Sequence, residues 1–133
     1  MTSRKRIEPD PAKQWDAASK AVLVDDTLYL SGQVGLDADG KLVGLDIVSQ
    51  TDQAVRNIES ICVAAGGSLR DVVRITIFIT DAALSPGYFE VIHRHFGDQP
   101  PAQTGIVVKG LLIPELLVEL EAIAVIGSSA SVS

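Results

Sequence analysis

Aromatic side chains are scarce in this sequence: three phenylalanines, two tyrosines and one tryptophan make up 5% of its 133 residues. The core must therefore be built from Val, Leu, Ile and Ala, and the interleaving of aromatic and basic residues that holds single-stranded nucleic acid is missing. Positive charge is the minority sign, with 11 Lys and Arg against 17 Asp and Glu and a formal net charge of −6. Such a field repels phosphate backbones, so no nucleic-acid partner is expected. A single cysteine, Cys62, excludes an internal disulfide framework and suits the reducing cytoplasm. No apolar run approaches the roughly 18 residues of a membrane span, and the basic start "MTSRKRIEPDP" is followed by no apolar stretch. Neither a signal peptide nor a membrane partner is expected. Nucleotide-binding glycine motifs and the G-x-S-x-G elbow of serine hydrolases are also absent.

What is present is ordinary for one globular domain: 47% hydrophobic and 21% charged residues. Residues 1–17 read as a flexible lead-in, 18–126 as the domain, and 127–133 ("GSSASVS") as a small, polar, disordered tail. "AVLVDDTLYLSGQ" predicts two short strands around a turn at Asp25 and Asp26, with Leu28 and Leu30 on one face and Thr27, Tyr29, Ser31 and Gln33 on the other. Apolar residues at helical spacing predict a helix from Asp46 to Ala65, stopped by Gly66 and Gly67. "DVVRITIFIT" predicts a strand with Val73, Ile75, Ile77 and Ile79 on its core face. Its other face, holding Val72, Arg74, Thr76, Phe78 and Thr80, is mixed, which suggests burial against another subunit. A second helix is expected from Ser85, as N-cap with Pro86 at the first helical position, to Gly97. Two strands, "TGIVVKG" and "LLVELEAIAV", complete a β-β-α-β-α-β-β order of the α+β class, with two helices on one side of a sheet.

Few residues offer chemistry. His93 and His95 lie two apart on a helix and so point roughly 200° away from each other. They cannot converge on one metal, and no metal site is expected; a surface or helix-end role fits them better. Cys62 falls on the apolar face of the first helix and reads as a buried structural thiol. Glu119 and Glu121 share a strand face with Leu117, Ile123 and Val125. They are either solvated edge residues or the lining of a pocket at a subunit boundary, where desolvation would equip an acid for proton transfer. In "QPPAQTG", residues 99–105, two prolines stiffen the approach to an uncharged polar pair, Gln103 and Thr104.

Four stretches taken together resemble the RidA/YjgF family: "LYLSGQVGLDADGKLVG", "QTDQAVRNIESICVAAGGSLRDVVRITIFITD", "FGDQPPAQTGIVV" and "LLVELEAIAV". The resemblance covers about Ala18 to Val125. It implies a chorismate-mutase-like fold, a homotrimer with a central β-barrel, and small-molecule clefts between subunits. It also implies hydrolysis of reactive enamines and imines to a keto compound and ammonia, with no cofactor. In that family an arginine grips the substrate carboxylate, and a glutamate working through water moves protons. The glutamate matches Glu119, and Ser31 matches a pocket residue. The arginine position holds Gln103 instead, followed by Thr104 and Gly105. A pocket asparagine aligns near Phe89, and a pocket tyrosine aligns near Ala18 and is missing, with Trp15 close by in sequence. The expected function is a divergent imine or enamine deaminase whose substrate is not a small 2-imino acid. Glu119 is its expected acid/base, and Gln103, Thr104, Ser31, Phe89 and Gly105 are its expected substrate contacts. A non-catalytic ligand-binding or regulatory trimer is the alternative, and the ribonuclease or translation-inhibitor activity associated with the family name fits less well.

Overall fold

A computed structural model describes residues 1–131. Six strands form one mixed sheet: β1 (Arg4–Ile7), β2 (Ala21–Val24), β3 (Thr27–Val34), β4 (Val72–Ile79), β5 (Ala102–Val107) and β6 (Val118–Val125). Their spatial order is β1-β2-β3-β6-β4-β5. All neighbours are antiparallel except β4 and β5, which run parallel. Helices α1 (Ile47–Ala64) and α2 (Ser85–Phe96) pack together on one face of this sheet.

Local sequence explains most of these boundaries. Asp46 caps α1 by accepting the Ser49 N–H at 2.9 Å, and Gly66, at φ 92°, turns the chain away after the last helical residues. The buried stripe Ala54, Val55, Ile58, Ile61 and Cys62 recurs at the three- and four-residue spacing of one helix face. Asp25 takes the left-handed φ of 52° needed by the tight β2–β3 turn, a conformation Asp tolerates better than most residues. The core lies between this helix layer and Leu28, Leu30, Ile75, Ile77, Ile79, Leu120, Ala122 and Ala124. Gln50, fully buried among them, donates to the carbonyls of Gly44 and Glu115 at 2.9 and 3.0 Å and accepts the Leu117 N–H at 2.7 Å. It thereby ties the start of α1 to the segment that enters β6.

Several local expectations are corrected. The lead-in is not a loose segment: β1 adds an extra strand at the sheet edge, pairing with β2 and burying Ile7. In the tail, Ser128–Ser131 form a single turn, and the Ser129 N–H is accepted by Asp71 at 2.9 Å; residues 132 and 133 lie outside the described residues. A register shift between Val72 and Arg74 exchanges the places of the two valines, so Val72 is buried and Val73 is 41% exposed. A second shift between Leu30 and Gln33 brings Gln33 opposite Leu120, on the covered face rather than with Tyr29. Both are bulges, in which one extra residue inverts the alternation beyond it. Ser85 is the first residue of α2 rather than its cap: its backbone is already helical, at φ −56° and ψ −40°, and its hydroxyl donates to the Ala82 carbonyl at 2.7 Å.

Candidate functional site

Glu119 stands on the open face of the sheet, where β6 runs beside Phe78 of β4 and Val34 of β3. Its carboxylate fills the space above Gly32: a Cβ at that glycine would overlap Glu119 Oε2 and Cδ. The bulge at Ser31 and Gly32 therefore makes room for the acid. Partial burial raises the Glu119 pKa above its ordinary value, and the neighbouring negative charge of Glu121 adds to the shift. Beside Gly32 the Ser31 hydroxyl donates to the Ser19 carbonyl at 2.6 Å, so its lone pairs remain available to accept.

A cavity of about 280 Å³ opens next to this bulge, its walls including Arg6, Trp15, Ala18, Ser31 and Gly32. Arg6 shapes it from β1. Its guanidinium donates to the carbonyls of both Trp15 and Ala18, which holds the segment before β2 across the opening. Trp15, whose side chain the scarcity of aromatics makes conspicuous, is 67% exposed there.

The remaining expected site residues form two other groups. Gln103 pairs in register with Ile75 and so shares the helix-covered face, where its Oε1 accepts the Tyr88 hydroxyl at 2.7 Å. Burial raises the Tyr88 pKa above that of a free phenol, which keeps the donor proton in place. Phe89 follows on α2, half exposed, with its ring edge-on to Tyr88 at 5.0 Å between centroids. Gly105, opposite Ile77, lies two residues along the same edge strand, and a Cβ there would make only an ordinary 3.9 Å contact. Thr104 points to the other face, where its hydroxyl accepts from Arg74 Nη2 at 2.7 Å. Thus Glu119 packs on Gly32, the chain neighbour of Ser31, Tyr88 touches both Gln103 and Phe89, and Gln103 and Glu119 lie on opposite faces of the sheet. Tyr88, Arg74 and Gly32 are the contacts that residue types alone did not reveal. Tyr88 sits among the apolar positions of α2 and reads as core until its hydroxyl partner is seen.

The histidines serve the helix surfaces. His95 Nε2 lies 2.7 Å from Asp52 Oδ1 on α1, and Arg56 donates to the other oxygen of that carboxylate at 2.8 Å. Burial alone would raise the Asp52 pKa, but the hydrogen bonds from Arg56 and His95 outweigh it and hold it below its ordinary value. Burial pushes the Cys62 thiol up to about 12, helped by Asp71 and Glu59, so this sulfur is not a nucleophile. Among the described residues, no group of three or more His, Cys, Asp or Glu side chains could hold a metal, and no helix is long and apolar enough to cross a membrane.

A mixed sheet carrying two helices on one face, with an acid beside a strand bulge, defines the class of fold. Comparison with known proteins then identifies the family. The sequence model of the Endoribonuclease L-PSP family matches residues 6–126, and the chain belongs to that family. A 2-iminobutanoate/2-iminopropanoate deaminase of Capra hircus is 40% identical over 111 residues, covering 82% of this chain and 80% of the relative. A RutC family protein of Pyrococcus abyssi is 36% identical over 107 residues, 80% of this chain and 84% of that one. Among solved structures, a member of the conserved Rid protein family from Yersinia pestis matches with a TM-score of 0.85 at 31% identity. The match covers 93% of this chain and all of that one.

Proposed function

We propose that this protein hydrolyses reactive imines or enamines other than small 2-imino acids, in a cleft assembled between copies of a cytoplasmic homotrimer. The observation that carries the reading is Glu119, an acid of raised pKa packed on Gly32 beside Ser31, in a chain whose relatives include imine deaminases. Water adds its oxygen to the imine carbon while the nitrogen takes up a proton, giving a carbinolamine. The C–N bond then breaks, the hydroxyl proton leaves, and the products are a carbonyl compound and ammonia. Glu119 is suited to give and receive these protons because its two protonation states lie closer in energy near neutral pH than those of an exposed carboxylate. The Ser31 hydroxyl accepts from the attacking water.

Two features support a site shared between copies. Gln103 and Glu119 occupy opposite faces of one sheet, so a ligand bridging them must draw the two from different chains. Strand β5 is an open edge with exposed Ile106 and Val107, and the uncovered face beyond it carries Tyr29 and Phe78. The substitution at 103 argues against small anionic substrates. A hydrogen bond to a charged group contributes about 1.5–3 kcal/mol and a neutral one about 0.5–1.5, so losing one or two of the former weakens a carboxylate by about 10- to 1000-fold.

The test measures ammonia release from a panel of imines generated by amino-acid and amine oxidases, beside a Glu119→Gln variant. Turnover on bulkier or uncharged imines that falls at least about 100-fold in the variant is the expected result. Absence of turnover on every imine would overturn the catalytic reading in favour of a ligand-binding trimer. Light scattering should give a particle three times the 14.1 kDa chain mass.

A further inference from the structure

The hydrogen bond between Tyr88 and Gln103 says more about the ligand than the loss of a charge does. Tyr88 is buried, and its one hydroxyl hydrogen is directed at Gln103 Oε1 at 2.7 Å. The amide oxygen is thereby engaged, and because the amide is planar the amino group faces away from Tyr88. Gln103 Nε2 makes no hydrogen bond among the described residues, and Gln103 is only partly buried. Two N–H donors are thus presented at the edge strand, while one of the two lone pairs of the amide oxygen is taken by Tyr88. The half-exposed ring of Phe89 is braced edge-on against the same Tyr88.

No cation completes this spot from the sheet. Arg74, on the strand adjoining β5, projects to the opposite face and is held by Thr104. A carboxylate placed here would lose water without gaining a counter-charge from the sheet, in a chain of net charge −6. An uncharged carbonyl oxygen accepts the same two N–H donors at much lower desolvation cost. A free glutamine could rotate its amide to suit either a donor or an acceptor; one held through its oxygen by Tyr88 turns its amino group toward a ligand acceptor.

We infer that Tyr88 is a positioning residue that locks the Gln103 amide as a donor, so that the cleft selects ligands bearing a neutral carbonyl, such as a carboxamide or ester, where relatives named as deaminases of 2-imino acids take a carboxylate. This deepens the functional reading above by naming the substrate class, and it rests on that reading only for the location of the cleft.

A matched pair tests it: 2-oxobutanamide and 2-oxobutanoate, which differ only in carboxamide against carboxylate, titrated calorimetrically into the full-length protein. The wild type should bind the amide about 3- to 10-fold more tightly. Tyr88→Phe keeps the ring and its contact with Phe89 but frees the amide; it should bring the ratio of the two dissociation constants to within about twofold. Gln103→Arg should reverse the preference. Equal or tighter binding of the carboxylate by the wild type, binding of neither compound, or an unchanged ratio in Tyr88→Phe would each overturn the inference. The ratio, rather than either affinity alone, is the deciding quantity, since general loosening of the fold weakens both ligands together. Amide preference without imine turnover would remove the catalytic proposal and leave this one standing; turnover without the preference would do the reverse.

Discussion

The two faces of the sheet are built from the same strands and are finished to different degrees. On the covered face, Ile75, Val118, Leu120 and Ala124 are inaccessible to solvent, closed over by α1 and α2 within one chain. On the uncovered face, Tyr29, Arg74, Thr76, Phe78, Glu119, Glu121 and Ile123 alternate with them and remain partly or fully exposed. The first face is a packing problem already solved. The second mixes charge, hydroxyl and large apolar groups at positions that neither water nor a hydrocarbon core suits. The candidate acid lies there, at the bulge where Gly32 leaves room for its carboxylate. The buried core and the candidate acid therefore lie on the two sides of the same β6 strand, one residue apart.

That division can be broken most sharply at neighbouring residues. Leu120→Ala should cost about 2–5 kcal/mol in urea unfolding, since a fully buried leucine leaves a cavity between sheet and helices. Thr76→Ala, across the sheet on the open face, should stay within about 0.5 kcal/mol at the level of the single subunit. Comparable losses at the two sites would show that the open face matters to folding as much as the core does.

A smaller effect of opposite sign is expected at Glu119. Its folded pKa is raised, so its carboxyl contributes stability below its unfolded pKa and loses it as pH rises through the folded value. At pH 8, where the wild-type group is ionised at a cost, Glu119→Gln should raise Tm by roughly 1–3 °C while reducing turnover. At pH 4 the two proteins should melt together. A variant less stable than wild type at pH 8 would mean that the ionised carboxylate is held by favourable contacts.

The smallest effect belongs to the outer surface. Asp52 has a lowered pKa, so its contribution is present above its unfolded pKa and is lost as pH falls through the folded one. Because this group is partly solvent-screened, Asp52→Asn should cost no more than about 1 kcal/mol near neutral pH. The difference should vanish in strong acid, as read from denaturation curves at several pH values. A larger penalty would make the Asp52–His95 contact between α1 and α2 a structural clamp.

How far the fold was legible follows from the range of the interactions involved. Both helices and the alternation of Ile75, Ile77 and Ile79 were visible as periodicity, and the stop at Gly66 and the turn at Asp25 as local chemistry. The strand at Arg4–Ile7 was missed because three basic residues in succession carry no hydrophobic alternation; its ladder with β2 and the single buried Ile7 place it there. The bulges at Ser31–Gly32 and Val72–Val73 were equally hidden, since an extra residue shows only when a partner strand supplies the count. Glu119 and Ser31 could be singled out from residue type and family resemblance, but the gap over Gly32 that receives the Glu119 carboxylate could not.

The sequence by itself determined the class of fold, the composition of the core and the absence of a cation at position 103, because periodicity, residue type and charge are properties of the chain. Only the tertiary structure decided which face each side chain occupies, that Gln103 and Glu119 lie on opposite sides of the sheet, and that Tyr88 holds the Gln103 amide. Register and bulges are settled between strands far apart in sequence, and a hydrogen bond from a core-facing tyrosine exists only once α2 has been laid against β5.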